Sequence, residues 1–379
     1  MDIQQRVRLL RFMDLYFSGI NRYNAFTSDL MQRYIKSRKG ENVILSPLSI
    51  LALLSIASDA TAGETCAEIK RFLDDGEATP DFVAWLLDIQ KSISSSHAIS
   101  IANAVCVQKR ISKSIRPEFI EKVRNDYAGE LFASEDIVSA VNKWVKKATN
   151  GMIDQIADES MKNMLVCLLN AVSFEAGWRE EYEDDDIYDE EFTDADGNVK
   201  EVPFLHSSEQ YYIEDDSFTG FTRPYKDAGF AFMSLLPKKK RSQNFLVRAL
   251  KDTNLTDLYQ SRTDQYDLSV SMPEFESAFN DDLTSFCREV GIEKVFTEKA
   301  DFTPMSSEWL KADSVIHKTK IEVNRQGTKA SAVSAMVVVA GCAPDFDRMK
   351  YVELNRPFLY AIVHEKTGLS VFTGILNRL

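Results

Sequence analysis

The sequence predicts a single α+β domain covering residues 1–379. Residues 1–150 carry apolar side chains mostly at three- and four-residue spacing, the period of amphipathic helices, and from about residue 165 the texture changes to short β-type runs. No Pro/Ser/Gly-rich linker separates the halves and no internal repeat interrupts them, so one shared core is the simpler arrangement. With 44% hydrophobic and 27% charged side chains, a chain of 379 residues can bury such a core.

The elements follow in order. In the N-terminal MDIQQRVRLLRFMDLYFSGINRYNAF the apolar residues are interrupted by Arg6, Arg8, Arg11 and Asp14. It lacks the unbroken apolar core and cleavage site of a secretory signal, and reads as an extra helix packed on the body. No stretch approaches the length of a membrane-spanning helix. NAFTSDLMQRYIKSR is helical in pattern, and in PLSILALLSIASDATAGETCAEIKRFLDD the preceding Ser46 supplies a cap and Pro47 a first-turn proline. PDFVAWLLDIQKSI and SEDIVSAVNKWVKKATNG repeat the pattern, the second ending at Asn150-Gly151. Strand-type runs then dominate: MLVCLLNAVSF, QYYIEDD, FTRPY, GFAFMSLLP, YDLSVSMPEF, SVIHKTKIEVN, PFLYAIVHE and LSVFTGIL. Helices return at LVRALKD, NLTDLYQS and NDDLTSFCREVG. The run REEYEDDDIYDEEF, residues 179–192 with nine acids, reads as a solvated connecting loop without the glycine turn of a calcium site.

Charge and residue census remove several function classes. Lys plus Arg number 45 against 58 Asp plus Glu, a formal net charge of −13 that repels nucleic acid at long range. The five cysteines (Cys66, Cys106, Cys167, Cys287, Cys342) stand singly and odd in number, which favours free, mostly buried thiols over a zinc site or a disulfide framework. The nearest two of the 15 glycines, Gly368 and Gly374, lie six residues apart, so no phosphate-cradling loop is present. None of the four histidines falls in a metal-binding or hydrolase motif. His317, inside a strand pattern, is expected as a satisfied core side chain. An enzyme, a metal centre and a bound cofactor are therefore not expected.

One segment is unusual for the end of such a chain. From Gly327 to Gly341 it has no proline, no acid and one base, Lys329, among small and β-branched residues. Taken with its neighbours it completes a resemblance, over nearly the whole length, to the serpin family. ENVILSPLSILALLSIASDATAGETCAEI resembles the family's second-helix signature, and NAVSFEAGWREEY its central-sheet strand with the tryptophan. SVSMPEFESAFNDDLTSFCREVGIEKVF resembles the following strand-helix unit, ADSVIHKTKIEVNRQGTKASA the strand and hinge leading into the reactive loop, and NRPFLYAIVHEKTGLSVFTGIL the closing hairpin. The resemblance implies a serpin fold of about eight or nine helices around three β-sheets, with an exposed reactive loop at about 327–350.

It also implies roles. Ser46, Ser49, Asn170 and His317 fall on the hydrogen-bonded "shutter" beneath the opening point of the main sheet, and Trp178 and Glu322 on the "breach" where the loop enters. The sequence has Glu175, not the family's usual lysine, just after Phe174, which puts a salt bridge from that lysine to Glu322 in doubt. The hinge runs from Glu322 through Gly327, Thr328, Ala330, Ala332 and Ser334. With side chains alternating along a strand and Thr328 as the first inward position, the inward set is Thr328, Ala330, Ala332, Ser334, Met336 and Val338, all uncharged, and Lys329 faces out. The implied activity is suicide inhibition of serine proteases, with a non-inhibitory binding or chaperone protein as the alternative.

The scissile bond is read by two counts. About 14 residues past the hinge glycine gives Gly341-Cys342, the primary candidate, whereas about nine before the closing strand at Asn355 gives Phe346-Asp347; the loop thus carries an insertion. Arg348-Met349 is a third candidate. These bonds suit elastase-, chymotrypsin- and trypsin-like proteases respectively. No heparin partner is expected from PDFVAWLLDIQKSISS, and a monomer is expected. Free thiols, no signal peptide and the single N-x-T site at Asn254 suggest a protein that is cytoplasmic or released by an unconventional route, with an extracellular place as the alternative.

Overall fold

The computed structural model describes residues 3–38, 40–74, 80–226, 228–238, 246, 249–250, 253–328 and 348–379. Its backbone groups into two compact units that share the chain in alternation: Met1–Phe26, Ser46–Ser173 and Phe279–Lys320 form the first, and Thr27–Leu45, Phe174–Ala278 and Ile321–Leu379 the second.

The helices, in chain order, are α1 (Ile3–Ser37), α2 (Pro47–Ala60), α3 (Gly63–Asp74), α4 (Pro80–Ser94), α5 (Pro117–Tyr127), α6 (Ile137–Ala148), α7 (Leu255–Gln260) and α8 (Thr284–Glu289). Helix α2 is apolar on nearly every side, and all its residues but Asp59 are buried, as expected of a helix inside a core. The sequence reads 47–75 as one helical stretch; the structure breaks it at Thr61, whose backbone is extended and whose hydroxyl donates to the carbonyls of Ala57 and Ser58. Helix α1 is longer than expected, because the N-terminal segment continues without a break into NAFTSDLMQRYIKS. Gly19 permits its contact with α4, since a Cβ there would lie 2.4 Å from the Trp85 ring.

The strands are β1 (Val43–Leu45), β2 (Ile99–Gln108), β3 (Glu130–Ser134), β4 (Val166–Phe174), β5 (Ala176–Gly177), β6 (Ile187–Thr193), β7 (Val199–Glu209), β8 (Tyr211–Glu214), β9 (Phe218–Pro224), β10 (Phe230–Pro237), β11 (Asp267–Pro273), β12 (Phe275–Asp282), β13 (Ser314–Asn324), β14 (Gly327–Thr328), β15 (Met349–Glu353), β16 (Phe358–His364) and β17 (Ser370–Leu376). They form three sheets among the described residues, in the orders β1-β17-β16-β10-β9-β8, β15-β11-β7-β6 and β3-β2-β4-β13-β14-β5, with β12 also paired to β13. The first two lie in the second unit.

In the first unit, β4 and β13 run parallel and in direct register from Cys167↔Ser314 to Ser173↔Lys320. Helix α6 covers this sheet. Its Ile137, Val141, Trp144 and Val145, one face at helical spacing, pack with Ala104 and Cys106 of β2, Cys167, Leu169 and Ala171 of β4, and Ile316 of β13. Each large aliphatic side chain buried there contributes about 1.5–3 kcal/mol. Asp136 starts the helix by accepting from the Ser139 N–H.

Two expectations fall short. Strands β2 and β3 interrupt a region read as mostly helical, because a short apolar run such as ISIANAVCVQ has no period that separates strand from helix. The acidic run 179–192 is only partly loop: from Ile187 it is strand β6, paired antiparallel with β7 at the edge of the four-stranded sheet, where Asp189 and Glu191 face water and Glu190 lies half-buried beside His206.

Candidate functional site

Two polar networks occupy the places that the hinge reading singles out, one in each unit. In the first, Ser46, Ser49, Asn170 and His317 are fully buried. The Ser46 backbone N–H donates to His317 Nε2 at 3.3 Å, which fixes Nε2 as the acceptor, so Nδ1 carries the proton and donates to Asn170 Oδ1 at 2.7 Å. Asn170 Nδ2 donates to Asn103 Oδ1 at 2.8 Å and to the Ala102 carbonyl at 3.3 Å, and the Ser46 hydroxyl bonds that of Ser49 at 3.0 Å. Burial lowers the His317 pKa to about 3, so the ring is neutral at physiological pH. The chain of donors therefore runs one way, and it ties α2, β2, β4 and β13 together where β4 and β13 are still paired directly. A neutral imidazole locked at both nitrogens has no free site for proton transfer. It is a latch.

The second network surrounds Gly327 and Thr328, the start of the segment read as a hinge. After Asn324 the chain turns back on itself, and Gly327–Thr328 pairs as β14 with the end of β13 on one side and with β5 on the other (Gly327↔Gly177, Thr328↔Ala176). Gly327 has φ +150°, and a Cβ there would come within 2.3 Å of the Ala176 carbonyl, so only glycine lets the two backbones meet. Thr328 is fully buried, with its hydroxyl 2.7 Å from the Tyr225 hydroxyl. Tyr225 stacks on Trp178 with ring centroids 4.6 Å apart. Trp178 in turn holds the turn: its indole N–H donates to the Asn324 carbonyl at 2.9 Å and its backbone N–H to that of Gln326 at 3.0 Å. The Tyr182 N–H donates to the Arg325 carbonyl at 3.2 Å.

Glu322 lies half-buried on β13 and joins no ion pair among the described residues, while Glu175 is exposed. The charge fixing the turn is Arg325, missed by sequence reasoning. Its guanidinium is 2.7 Å from Asp184 and 3.9 Å from Glu274, and Glu274 also accepts its backbone N–H at 2.9 Å. A second omission is deeper. Arg223 of β9 and Glu209 of β7 form an ion pair whose side chains are 6% and 5% exposed, beside Trp178 and Tyr182. Burial pushes the Glu209 carboxyl above its ordinary range, against the pull of Arg223. The signal in the sequence was a lone Arg223, the one charge on its strand, at the alternate position between Phe221 and Tyr225.

The remaining candidates Ala330, Ala332, Ser334, Gly341, Cys342, Phe346 and Asp347 lie outside the described residues. Arg348 is exposed, its Nε donating to the Gln265 carbonyl at 3.2 Å. Met349 opens β15, in register with Asp267 of β11. Among the described residues no group of three or more His, Cys, Asp or Glu could hold a metal, and no helix is long and apolar enough to cross a membrane. Cys106, Cys167 and Cys287 are buried free thiols, with the pKa of Cys106 pushed up to about 12 by burial.

Comparison with known proteins gives a consistent outcome. The family model described as Serpin (serine protease inhibitor) matches residues 21–378. An uncharacterized serpin-like protein of Thermococcus kodakarensis is 27% identical over 94% of this chain and 84% of its own. Among solved structures, native tengpin, a thermophilic serpin, superposes with a TM-score of 0.86 at 30% identity over 95% of this chain and 94% of its own. Thyroxine-binding globulin complexed with thyroxine superposes at 0.82 over 95% and 98%, and at 21% identity it shows the shared fold alone.

Proposed function

Because the chain belongs to the serpin (serine protease inhibitor) family, we propose that it is a suicide-substrate inhibitor of serine endopeptidases, which traps the acyl-enzyme by inserting its cleaved reactive loop between β4 and β13. The observation that carries this reading is β14: the hinge has already entered as a two-residue strand between β13 and β5, with Thr328 buried. Residues 329–338 follow in a sequence whose inward positions are all uncharged, so continuation of the strand buries no charge. No proline removes a ladder hydrogen bond.

In the proposed cycle the protease nucleophile attacks a loop peptide bond and forms an acyl-enzyme. Insertion of about 14 strand residues at roughly 3.3 Å each then carries the attached protease about 46 Å before water can release it. Among the candidate bonds, Gly341-Cys342 fits this pull best, because extra residues ahead of the bond add slack. Arg348-Met349 is the weakest on backbone grounds, since Met349 is already committed to β15. A small-pocket, elastase-like target follows from the first choice.

The test mixes the purified protein with elastase-, chymotrypsin- and trypsin-type proteases, runs denaturing gels and weighs the released C-terminal peptide. A denaturation-resistant band at the summed mass, with a peptide starting at Cys342, is the expected result. Clean cleavage without that band would overturn the trap and leave the binding or chaperone reading in its place.

A further inference from the structure

Arg223 is an expensive residue to place where it sits. It lies on β9 two residues before Tyr225, so both side chains point to one face and grip Trp178 between them: the guanidinium carbon lies 5.3 Å from the Trp178 ring centre, and the Tyr225 ring 4.6 Å away. The same guanidinium lies 4.0 Å from the ring centre of Tyr182 and donates to the Glu180 carbonyl and to Glu209. Its Nε is buried without a hydrogen-bond partner, so one of its donors is left unsatisfied. A buried ion pair of this kind is weak evidence for stability, because an apolar side chain of similar volume commonly does as well. What it supplies is geometry. Arg223 touches the segment 178–182 at Trp178, Glu180 and Tyr182, and that segment bonds the carbonyls of Asn324, Arg325 and Gln326, the whole of the hinge turn.

We propose that Arg223, held by Glu209, is a positioning residue that anchors the hinge turn through Trp178, Glu180 and Tyr182, so that Gly327 and Thr328 stay seated as the starting strand for loop insertion. The consequence for inhibition rests on the trapping reading above, whereas the anchoring itself does not. Glu209 acts here through Arg223: its Oε1 accepts from the guanidinium and from the Ser207 hydroxyl, and the second bond holds the carboxylate in place for the first.

The test uses the full-length chain in four forms: wild type, Arg223→Met, Arg223→Lys, and the charge-free pair Arg223→Met with Glu209→Gln. The single Met variant leaves a buried carboxylate and can fail to fold; the pair removes both charges and keeps the volume. Hydrogen exchange at the amides of 326–328 is measured first. The pair is expected to exchange there about tenfold faster or more, with a melting temperature close to wild type, and Arg223→Lys is expected to restore protection only in part because it lacks the fork. Unchanged exchange in the charge-free pair overturns the anchor. The second readout is the number of inhibitor molecules consumed per protease trapped, expected to rise several-fold in the pair; wild-type consumption with loosened exchange overturns the link from anchor to insertion. A wild-type protein that traps no protease sinks the inhibitor reading, and the exchange data still decide the anchor.

Discussion

The His317 network and the Arg223 cluster are both buried and polar, yet they meet the cost of burial in opposite ways. Around His317 every group is neutral and the donors run in one direction from Ser46 to Asn103, so little desolvation is left uncompensated; the Asn103 Nδ2 is the orphan. Around Arg223 two full charges are buried and a donor is left unpaired, and aromatic faces take up part of the guanidinium. The difference teaches that a neutral hydrogen-bonded network can hold two strands together, whereas a charged one is better read as fixing a direction. Strand closure belongs to the first and hinge placement to the second.

That contrast can be broken by substitution. Thr328→Arg has the largest expected effect: it forces a charge into a fully buried site against Tyr225, and covalent complex formation should drop by about tenfold or more as the protein turns into a substrate. Complexes formed at wild-type efficiency would remove the hinge from the mechanism. Next comes Asn170→Ala, which strips the acceptor of His317 Nδ1 and the donor to Asn103; unfolding in urea should show a loss of about 2–4 kcal/mol, whereas the charge-free Arg223/Glu209 pair should lose far less. Equal losses from the two would erase the distinction.

A pH series sharpens it further. Native His317 stays neutral down to about 3 while the unfolded chain binds a proton from about 6.5 downward, so between those values the unfolded state holds more protons. Stability from this residue is therefore complete above pH 6.5 and falls at about 1.4 kcal/mol per pH unit below it. A His317→Asn variant should show a shallower slope by that amount, and identical slopes would contradict a buried neutral ring. The smallest effect is expected from Glu322→Gln, within about 0.5 kcal/mol in the same assay, since no ion pair among the described residues involves Glu322.

Much of the neutral network was legible in the sequence because its members sit in contiguous signatures: Ser46 and Ser49 beside a first-turn proline, Asn170 and His317 inside strand patterns. The hinge glycine and threonine were legible for the same reason. Arg223–Glu209 and Arg325–Glu274 were not, because each pair is made by chain placement that no local period encodes; 14 residues and the β8–β9 hairpin separate Glu209 from Arg223. The break at Thr61 was missed through backbone detail, as Ala62-Gly63 carries no proline to mark it.

The two residue pairs of β14 also bear on timing. Starting a strand is the costly step of adding one, since the ends must be brought together before any contact rewards them; extension adds contacts one at a time. Under the proposed insertion, β14 would supply that start in the uncut chain, leaving the seven direct pairs between β4 and β13 to unzip from the Ser173↔Lys320 end. In the proposed race against hydrolysis, the clock would then be set by how fast that ladder parts, and the protein would begin each encounter already past its slowest search.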